Sequence, residues 1–251
     1  MARRKIRGAG AARDTDRRAL SLHDPAVVRA EYQDETRLAA RKAAHASAEG
    51  PDARDLVFEA VREGEPERVL EVGCGAGELA ERMRRDLDTK VVAIDQSERM
   101  VELTRARGVV ADVGDVQDLD FPEGSFDCAV AAWMLYHAVD LDRALAELAR
   151  VLRPGGRLVA ATNGTDHVRE LYELVGLSPI RPNFNAENAS KLLQRHFSRV
   201  ERRDAHGWLV FPNADAAQVY VDSMVVLSGE VPRVEGPIRA RRTPAIFVAE
   251  K

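Results

Sequence analysis

The chain is poor in cysteine and in long apolar stretches, and neither sign of charge dominates. Two of its 251 residues are cysteines, Cys74 and Cys128, each inside an apolar strand-like stretch, so the sequence favours free thiols over a structural disulfide. No apolar run approaches the roughly 20 residues of a membrane span, and the first residues lack the apolar core of a signal peptide. The net charge of −4 gives no general attraction to nucleic acid or to an acidic membrane. We therefore expect a soluble cytoplasmic protein with no membrane partner.

The amino-terminal fifth differs in composition from the rest of the chain. Residues 1–20 are basic and rich in glycine and alanine, which predicts a disordered tail, with contact to RNA as the alternative. Residues 21–50 are dominated by helix formers and carry a modest apolar stripe that includes Tyr32. Gly50-Pro51 ends this segment, and a helix is predicted from Asp52 to Arg62.

The middle of the chain alternates short apolar runs with helical patterns. The runs are rich in valine and alanine, as expected for strands that are covered on both faces. They read RVLEVG, KVVAID, GVVADV, FDCAVAAW and GRLVAAT. The clearest helical pattern, from Leu141 to Leu152, repeats apolar residues at the spacing of one helix face and stops at Pro154-Gly155-Gly156. This alternation predicts an α/β fold with a doubly wound, mostly parallel sheet and helices on both faces.

The pattern is less regular after Thr162. Helices are predicted within DHVRELYELVG, NAENASKLLQRHF and ADAAQVYVDSMVVLSG, and strands within SRVERRDAHGWLVF and TPAIFVAEK. No shift in composition marks a domain boundary, so these elements are expected to complete the same sheet. Residues 197–237 include several aromatic side chains, and they are predicted to form either a lid over a pocket or the surface of a homodimer.

Three glycines alternate directly after the first predicted strand, in the order Gly73-x-Gly75-x-Gly77. A glycine turn at a strand end lets the backbone approach a ligand, and the next helix offers free N–H groups. A dinucleotide site needs its third glycine where this chain has Glu78, whose carboxylate would repel a pyrophosphate. The next strand ends at Asp95, which suits the ribose of either class of nucleotide cofactor.

Four stretches together are similar to the class I S-adenosylmethionine-dependent methyltransferases, and above all to the small-molecule group that includes the ubiquinone and menaquinone methyltransferases. They read LEVGCGAGELA, VVAIDQSERMV, GDVQDLDFPEGSFDCAVAAWMLYH and ALAELARVLRPGGRLVAATNG, and the resemblance covers roughly residues 50 to 165. It implies a seven-stranded Rossmann-like sheet and S-adenosylmethionine as cofactor. It also implies one methyltransferase domain at 21–251, with a helical lid at 21–50, a cofactor-binding core at 51–165 and acceptor-side elements at 166–251.

The resemblance also assigns cofactor-binding roles to individual positions. The methionine part is expected to contact the first motif, at Glu71, Gly73, Cys74, Gly75 and Gly77. Asp95 is expected to accept both ribose hydroxyls, and Gln96 to pack on the adenine. Asp115 and Val116 are expected to bind the adenine edge, although the stretch ADVGDV leaves Asp112 as a rival for the role of Asp115. Tyr32, in the leading helix, is expected to close over the cofactor.

The residues past the fourth and fifth strands of this core are candidates for the chemical step. Tyr136, His137 and His167 follow these strands, on the edge of the sheet where ligands bind. A histidine at this place can remove a proton from a hydroxyl or an amine during methyl transfer. The alternative for His137 is a structural role, in packing or in hydrogen bonding to the backbone.

The methyl acceptor is expected to be an oxygen or nitrogen nucleophile of a small organic molecule. The chain has no N/D-P-P-Y tetrad of the kind that grips a flipped DNA base and no further carboxylate cluster for a metal. Its 31% of charged residues include only five lysines. This arginine-heavy composition indicates a GC-rich bacterial genome, where many enzymes of this group act in secondary-metabolite or antibiotic biosynthesis, so by analogy we expect such a role. The acidic balance disfavours a nucleic-acid partner, but an RNA methyltransferase remains an alternative. A nicotinamide-dependent reductase and a relative that binds the cofactor without methylating also remain open.

Overall fold

The apolar runs of the sequence form the parallel part of one sheet. The computed structural model describes residues 22–24, 27–28, 35–46 and 48–251, so the predicted tail and Tyr32 lie outside the described residues. In chain order the elements are α1 (Glu35–Ala46), α2 (Ala53–Arg62), β1 (Arg68–Val72), α3 (Glu78–Asp86), β2 (Lys90–Asp95), α4 (Glu98–Ala106), β3 (Val110–Val113), β4 (Phe126–Ala132), α5 (Leu141–Val151), β5 (Leu152–Asn163), α6 (Arg169–Leu174), α7 (Ala189–Leu193), β6 (Arg199–Asp204), β7 (Gly207–Phe211), α8 (Ala214–Asp222), β8 (Ile238–Arg242) and β9 (Pro244–Glu250).

Seven of these strands form a mixed sheet in the order β3-β2-β1-β4-β5-β9-β6. The pairs from β3 to β5 are parallel, and β9 runs antiparallel to both β5 and β6. The strand order reverses between β1 and β4, and the carboxyl ends of strands at such a switch point form the ligand-binding edge of an α/β sheet. The predicted seven-stranded, mostly parallel α/β sheet is confirmed.

Helices cover both faces of this sheet because each presents one apolar stripe to it. On one face the apolar side chains of α2, α3 and α4 are buried against the strands. On the other face α5 and α7 bury theirs, and Leu145 and Leu148 of α5 are fully inaccessible. Asp52 caps α2 through a bond from the Arg54 N–H to its carboxylate, at 2.8 Å. Burial on both faces explains why these strands are near-continuous apolar runs.

The chain divides into two compact units. The larger consists of Gly50–His167, Arg181–Gly207 and Arg242–Lys251, and it contains the seven-stranded sheet. The smaller consists of Val168–Ile180, Trp208–Arg241 and the described part of Met1–Glu49. In the smaller unit α1 contacts α8, and the separate two-stranded sheet of β7 and β8 lies almost wholly within it. The subdivision of one domain into lid, core and acceptor-side elements stays a prediction.

The expectation that all elements after Thr162 complete the main sheet is wrong. Only β6 and β9 join that sheet. The segment predicted as one strand, SRVERRDAHGWLVF, is two strands because β6 pairs with β9 whereas β7 pairs with β8. The predicted terminal strand is confirmed as β9. No helix among the described ranges is long and apolar enough to cross a membrane.

Candidate functional site

The glycine turn follows β1 and is tied to β2. The N–H groups of Gly73 and Cys74 both donate to the Ile94 carbonyl, at 2.8 and 3.1 Å. Gly73, Gly75 and Gly77 all have left-handed backbones, with φ of 66°, 54° and 80°, a conformation that favours glycine. The sequence therefore places glycine where the turn needs it, at the carboxyl end of β1.

The three glycines differ in what a side chain would meet. A Cβ on Gly73 would lie 2.7 Å from the Met134 Cβ, and one on Gly77 would lie 2.9 Å from the Thr104 Cα. A Cβ on Gly75 would meet no atom of the described residues within 4 Å. Two of the glycines therefore allow close packing, and Gly75 alone presents its backbone to open space.

Two residues that the sequence patterns do not identify hold this turn, Thr104 in the last turn of α4 and Arg107 at its C-cap. The Thr104 hydroxyl donates to the Gly75 carbonyl at 3.0 Å, and the Arg107 Nε donates to the Ala76 carbonyl at 2.7 Å. Arg107 also pairs with Glu81, at 2.7 Å, and with Glu78, at 3.5 Å. No local pattern indicates these contacts, because the partners lie about thirty residues apart in the sequence.

Asp95 links the end of β2 to the same turn. Its Oδ2 accepts from the Gly75 N–H and its Oδ1 from the Ser97 N–H, both at 2.9 Å. Burial raises the pKa of this carboxyl, and the backbone N–H groups of Ser97 and Gly75 oppose that rise. Each oxygen keeps a second lone pair, so the carboxylate is oriented and can still accept from two ligand hydroxyls.

Glu71 is a buried carboxyl next to the turn. It lies one residue before the end of β1 and is only 3% exposed. Its Oε2 has no hydrogen-bond partner among the described residues. The pKa of Glu71 is raised to about 8, chiefly by burial and further by the negative charges of Glu78 and Asp95, while the Ala80 N–H opposes the rise.

The residues predicted to bind adenine follow β3. The Gly114 N–H donates to the Asp95 carbonyl at 3.1 Å, which brings Asp115 close to the end of β2. The Asp115 carboxylate accepts from the backbone and side-chain N–H groups of Gln117, at 2.9 and 3.0 Å. Val116 is buried, whereas Gln96 is exposed.

Asp112, the rival to Asp115, lies on the surface. Its side chain is 66% exposed and accepts from Arg105 at 2.7 Å.

Cys74, between two of the glycines, is buried, and burial raises the pKa of its thiol to about 12. A thiol in that state is not a nucleophile at neutral pH, so the structure favours packing as the role of the Cys74 side chain.

The residues after β4 and β5 form the other part of this edge. Trp133 has a φ of 55°, unusual for a bulky residue, and its indole N–H donates to the Asn163 Oδ1 at 3.2 Å. Tyr136 and His137 lie in a short 3₁₀ turn, Leu135–His137, with ring centroids 4.5 Å apart in an edge-to-face arrangement. Both side chains are partly exposed.

His167 is oriented by the start of β9. The Thr243 N–H donates to the His167 Nδ1 at 3.2 Å, so the proton of a neutral ring lies on Nε2. This tautomer makes the neutral ring a donor at Nε2. The catalytic roles of Tyr136, His137 and His167 stay predictions.

Over the stretches that the structure describes, no group of three or more His, Cys, Asp or Glu side chains is arranged to hold a metal.

Comparison with known proteins identifies the core of the chain. Residues 70–160 match a family model described as a methyltransferase domain, which confirms the predicted resemblance over that range. The "Uncharacterized methyltransferase Rv3342" of Mycobacterium tuberculosis is 38% identical over 138 residues, which are 51% of this chain and 56% of that protein. The 27-O-demethylrifamycin SV methyltransferase of Amycolatopsis mediterranei is 41% identical over 100 residues, which are 37% of each chain. The chain thus spans about half the length of the first of these relatives.

A solved structure extends the likeness to most of the chain. Phosphoethanolamine N-methyltransferase 2 of Haemonchus contortus, in complex with phosphomonomethylethanolamine and S-adenosylhomocysteine, has a TM-score of 0.62 at 16% identity. The match covers 93% of this chain and 61% of that one. At this identity the likeness shows the fold alone.

Proposed function

We propose, on the premise that residues 70–160 are a methyltransferase domain, that the chain is an S-adenosylmethionine-dependent methyltransferase. Its acceptor is an oxygen or nitrogen nucleophile of a small organic molecule. The observation that carries the proposal is the link between Asp95 and the glycine turn, where one carboxylate accepts from the Gly75 N–H at 2.9 Å beside open space. This link sets a ribose acceptor next to a backbone that a ligand can approach.

The residues of the turn fit the cofactor in shape and in charge. When bound, S-adenosylmethionine supplies a methyl group carried on a positively charged sulfur. Gly75 leaves room for a ligand against the backbone, and Asp95 retains lone pairs for two ribose hydroxyls. Glu71 offers a buried carboxyl oxygen that has no partner among the described residues. Glu78 stands at the start of α3, where a dinucleotide would place its pyrophosphate, so the charge disfavours a nicotinamide cofactor.

The acceptor-side residues have distinct roles in this proposal. His137 removes the proton of the attacking hydroxyl or amine, and Tyr136 forms a wall of the pocket. His167 donates a hydrogen bond from Nε2 because the Thr243 N–H holds its Nδ1. Methyl transfer requires little more from the protein than alignment of the two reactants away from water. The likeness to a 27-O-demethylrifamycin SV methyltransferase supports an oxygen acceptor from secondary metabolism.

The test is transfer of an isotope-labelled methyl group from S-adenosylmethionine to a panel of phenols, alcohols, carboxylic acids and amines, with total RNA as a further arm. We expect label in a small organic product together with an equal amount of S-adenosylhomocysteine. Asp95→Asn should raise the KM for the cofactor about 10- to 100-fold, because it removes the charge from bonds to the ribose hydroxyls. Asp112→Asn, on the surface, is the matched control and should leave the KM unchanged.

Three results would contradict the proposal. Label that enters RNA alone would favour the RNA methyltransferase. Binding of S-adenosylmethionine without transfer to any acceptor would favour the non-methylating relative. Equal effects of Asp95→Asn and Asp112→Asn would contradict the ribose-binding role of Asp95.

A further inference from the structure

Glu71 is a buried acid in the candidate cofactor site, and no cation is paired with it among the described residues. Glu71 lies near the end of β1, beside the glycine turn and the first turn of α3, and its Oε2 is unpartnered among the described residues. Ala80 is the third residue of α3, so its N–H is one of those that a helix start leaves without an internal partner. This N–H favours the charged form of Glu71, but it is a single dipole set against nearly complete burial.

The charged groups around Glu71 further disfavour the ionised form of its carboxyl. Glu78 on α3 and Asp95 on β2 both repel a negative charge there. The Cys74 thiol in the turn is neutral, since burial raises its pKa to about 12. Arg107, the cation next to this turn, is engaged by Glu81, Glu78 and the Ala76 carbonyl. A carboxylate in such surroundings is costly to keep charged.

We propose that Glu71 couples cofactor binding to the release of a proton. The Glu71 carboxyl is neutral in the free protein, and it ionises when the ammonium group of S-adenosylmethionine enters the site, with its proton passing to the solvent. The proposal rests on the proposed function, because it takes S-adenosylmethionine as the ligand. Its physical basis is the buried Oε2 beside the glycine turn, which has no hydrogen-bond partner among the described residues and which a ligand cation would pair.

The coupling predicts the direction of a pH effect. Burial raises the pKa of Glu71 to about 8 in the free protein, and a bound cation lowers it. Below pH 8 binding must therefore remove a proton, so cofactor affinity should rise with pH. The increase approaches tenfold per pH unit while the free protein is protonated and the complex is not. Between pH 6.5 and 7.5 we expect S-adenosylhomocysteine to bind several-fold more tightly at the higher pH.

Calorimetry in buffers of different ionisation enthalpy measures the released proton directly. At pH 7.0 we titrate the whole protein with S-adenosylhomocysteine, which carries the ammonium group, in phosphate and in Tris. The dependence of the apparent enthalpy on the buffer should correspond to about 0.9 proton released per site, from a pKa near 8. 5′-Methylthioadenosine, which shares the adenosine and the thioether but has no cationic group, should bind without proton release.

Two variants distinguish the contribution of Glu71 to the proton release from that of Glu78. Glu71→Gln keeps the size of the side chain and removes the ionisable group, so S-adenosylhomocysteine should bind it without proton release. Glu78→Gln changes the exposed carboxylate at the start of α3 and should retain most of the release, reduced because the charge of Glu78 helps to raise the pKa of Glu71. If Glu71→Gln folds poorly, the calorimetry of the unaltered protein in phosphate and in Tris still tests whether cofactor binding releases a proton.

The outcomes distinguish this proposal from the proposed function. If S-adenosylhomocysteine binds with no proton release, or if Glu71→Gln releases as much as the unaltered protein, the coupling is wrong while the cofactor assignment stands. If S-adenosylhomocysteine does not bind at all, the proposed function itself fails.

Discussion

At the scale of single residues, the three glycines of the turn serve different purposes. Gly73 and Gly77 make room for Met134 and Thr104, whereas Gly75 faces open space. A side chain at Gly73 or Gly77 would disturb the fold and the site together, so variants there cannot separate stability from binding. Gly75 can separate them, because none of the described residues lies within 4 Å of the position that its Cβ would take.

We therefore expect Gly75→Ala to weaken binding of S-adenosylhomocysteine at least tenfold while destabilising the protein by only about 1 kcal/mol, the cost of a left-handed non-glycine residue. Gly155→Ala is the matched control. Gly155 has a φ of 74° and also has nothing within 4 Å of its Cβ position, but it lies at the opposite end of the sheet, at the amino end of β5. It should lose similar stability, measured by denaturant unfolding, and keep its affinity. Similar affinities of the two variants would contradict the assignment of Gly75.

Sequence reasoning assigns roles to residues by their position in a motif, such as Asp95 at a strand end, and these roles stay predictions. It left Asp112 and Asp115 open, because two aspartates three residues apart fit the same pattern. The bond from the Gly114 N–H to the Asp95 carbonyl brings Asp115 close to the end of β2, whereas Asp112 forms a surface ion pair with Arg105. These contacts favour Asp115, and its adenine-binding role stays a prediction. Thr104 could not be predicted, since its role depends on a tertiary contact with the Gly75 carbonyl.

At the scale of elements, α4 holds the glycine turn through a residue, Thr104, that lies outside the four motif stretches. Its Thr104 is fully buried and donates to the Gly75 carbonyl, and its hydroxyl lies 3.4 Å from the Cys74 Sγ. Ser97, at the start of α4, both caps the helix and donates its N–H to Asp95. The helix α4 and its cap thus hold both the glycine turn and the Asp95 carboxylate at the end of β2 in fixed positions.

Thr104→Val should remove the hydrogen bond to the Gly75 carbonyl while nearly keeping the volume of the side chain. We expect a loss of about 1–2 kcal/mol in the free energy of unfolding, because the Gly75 carbonyl loses a buried donor, and a three- to tenfold weaker affinity for S-adenosylhomocysteine. Thr162→Val is the control, since Thr162 is equally buried and its hydroxyl donates to the Phe184 carbonyl at 3.0 Å. It should lose similar stability with unchanged affinity. A Thr104→Val protein that binds as tightly as Thr162→Val would contradict the positioning role of α4.

The elements that could be predicted from the sequence are those with a clear local pattern of apolar residues. The strands from β1 to β5 are apolar runs, and α5 repeats apolar residues on one face, so both are visible without tertiary information. β8, with the sequence IRARR, has no such signal because its identity as a strand depends on pairing with β7. The division of SRVERRDAHGWLVF into β6 and β7 depends in the same way on two distant partners.

At the scale of the whole molecule, the order of the strands explains where the site lies. The sheet reverses its order between β1 and β4, and the glycine turn follows β1 at that point. Asp95 ends the neighbouring strand β2, and Trp133 follows β4 on the other side. The sequence predicts the parallel strands and the turn, but the insertion of β9 between β5 and β6 required the structure.

The central claim is that this edge of the sheet holds S-adenosylmethionine, and parallel calorimetric titration tests it most directly. The protein is titrated with S-adenosylmethionine, S-adenosylhomocysteine, NADH and NADPH under identical conditions. The account predicts micromolar binding of both sulfur compounds and no detectable binding of either nicotinamide. Binding of NADH or NADPH, with none of S-adenosylmethionine, would contradict it and would mean that Glu78 at the start of α3 does not exclude a pyrophosphate.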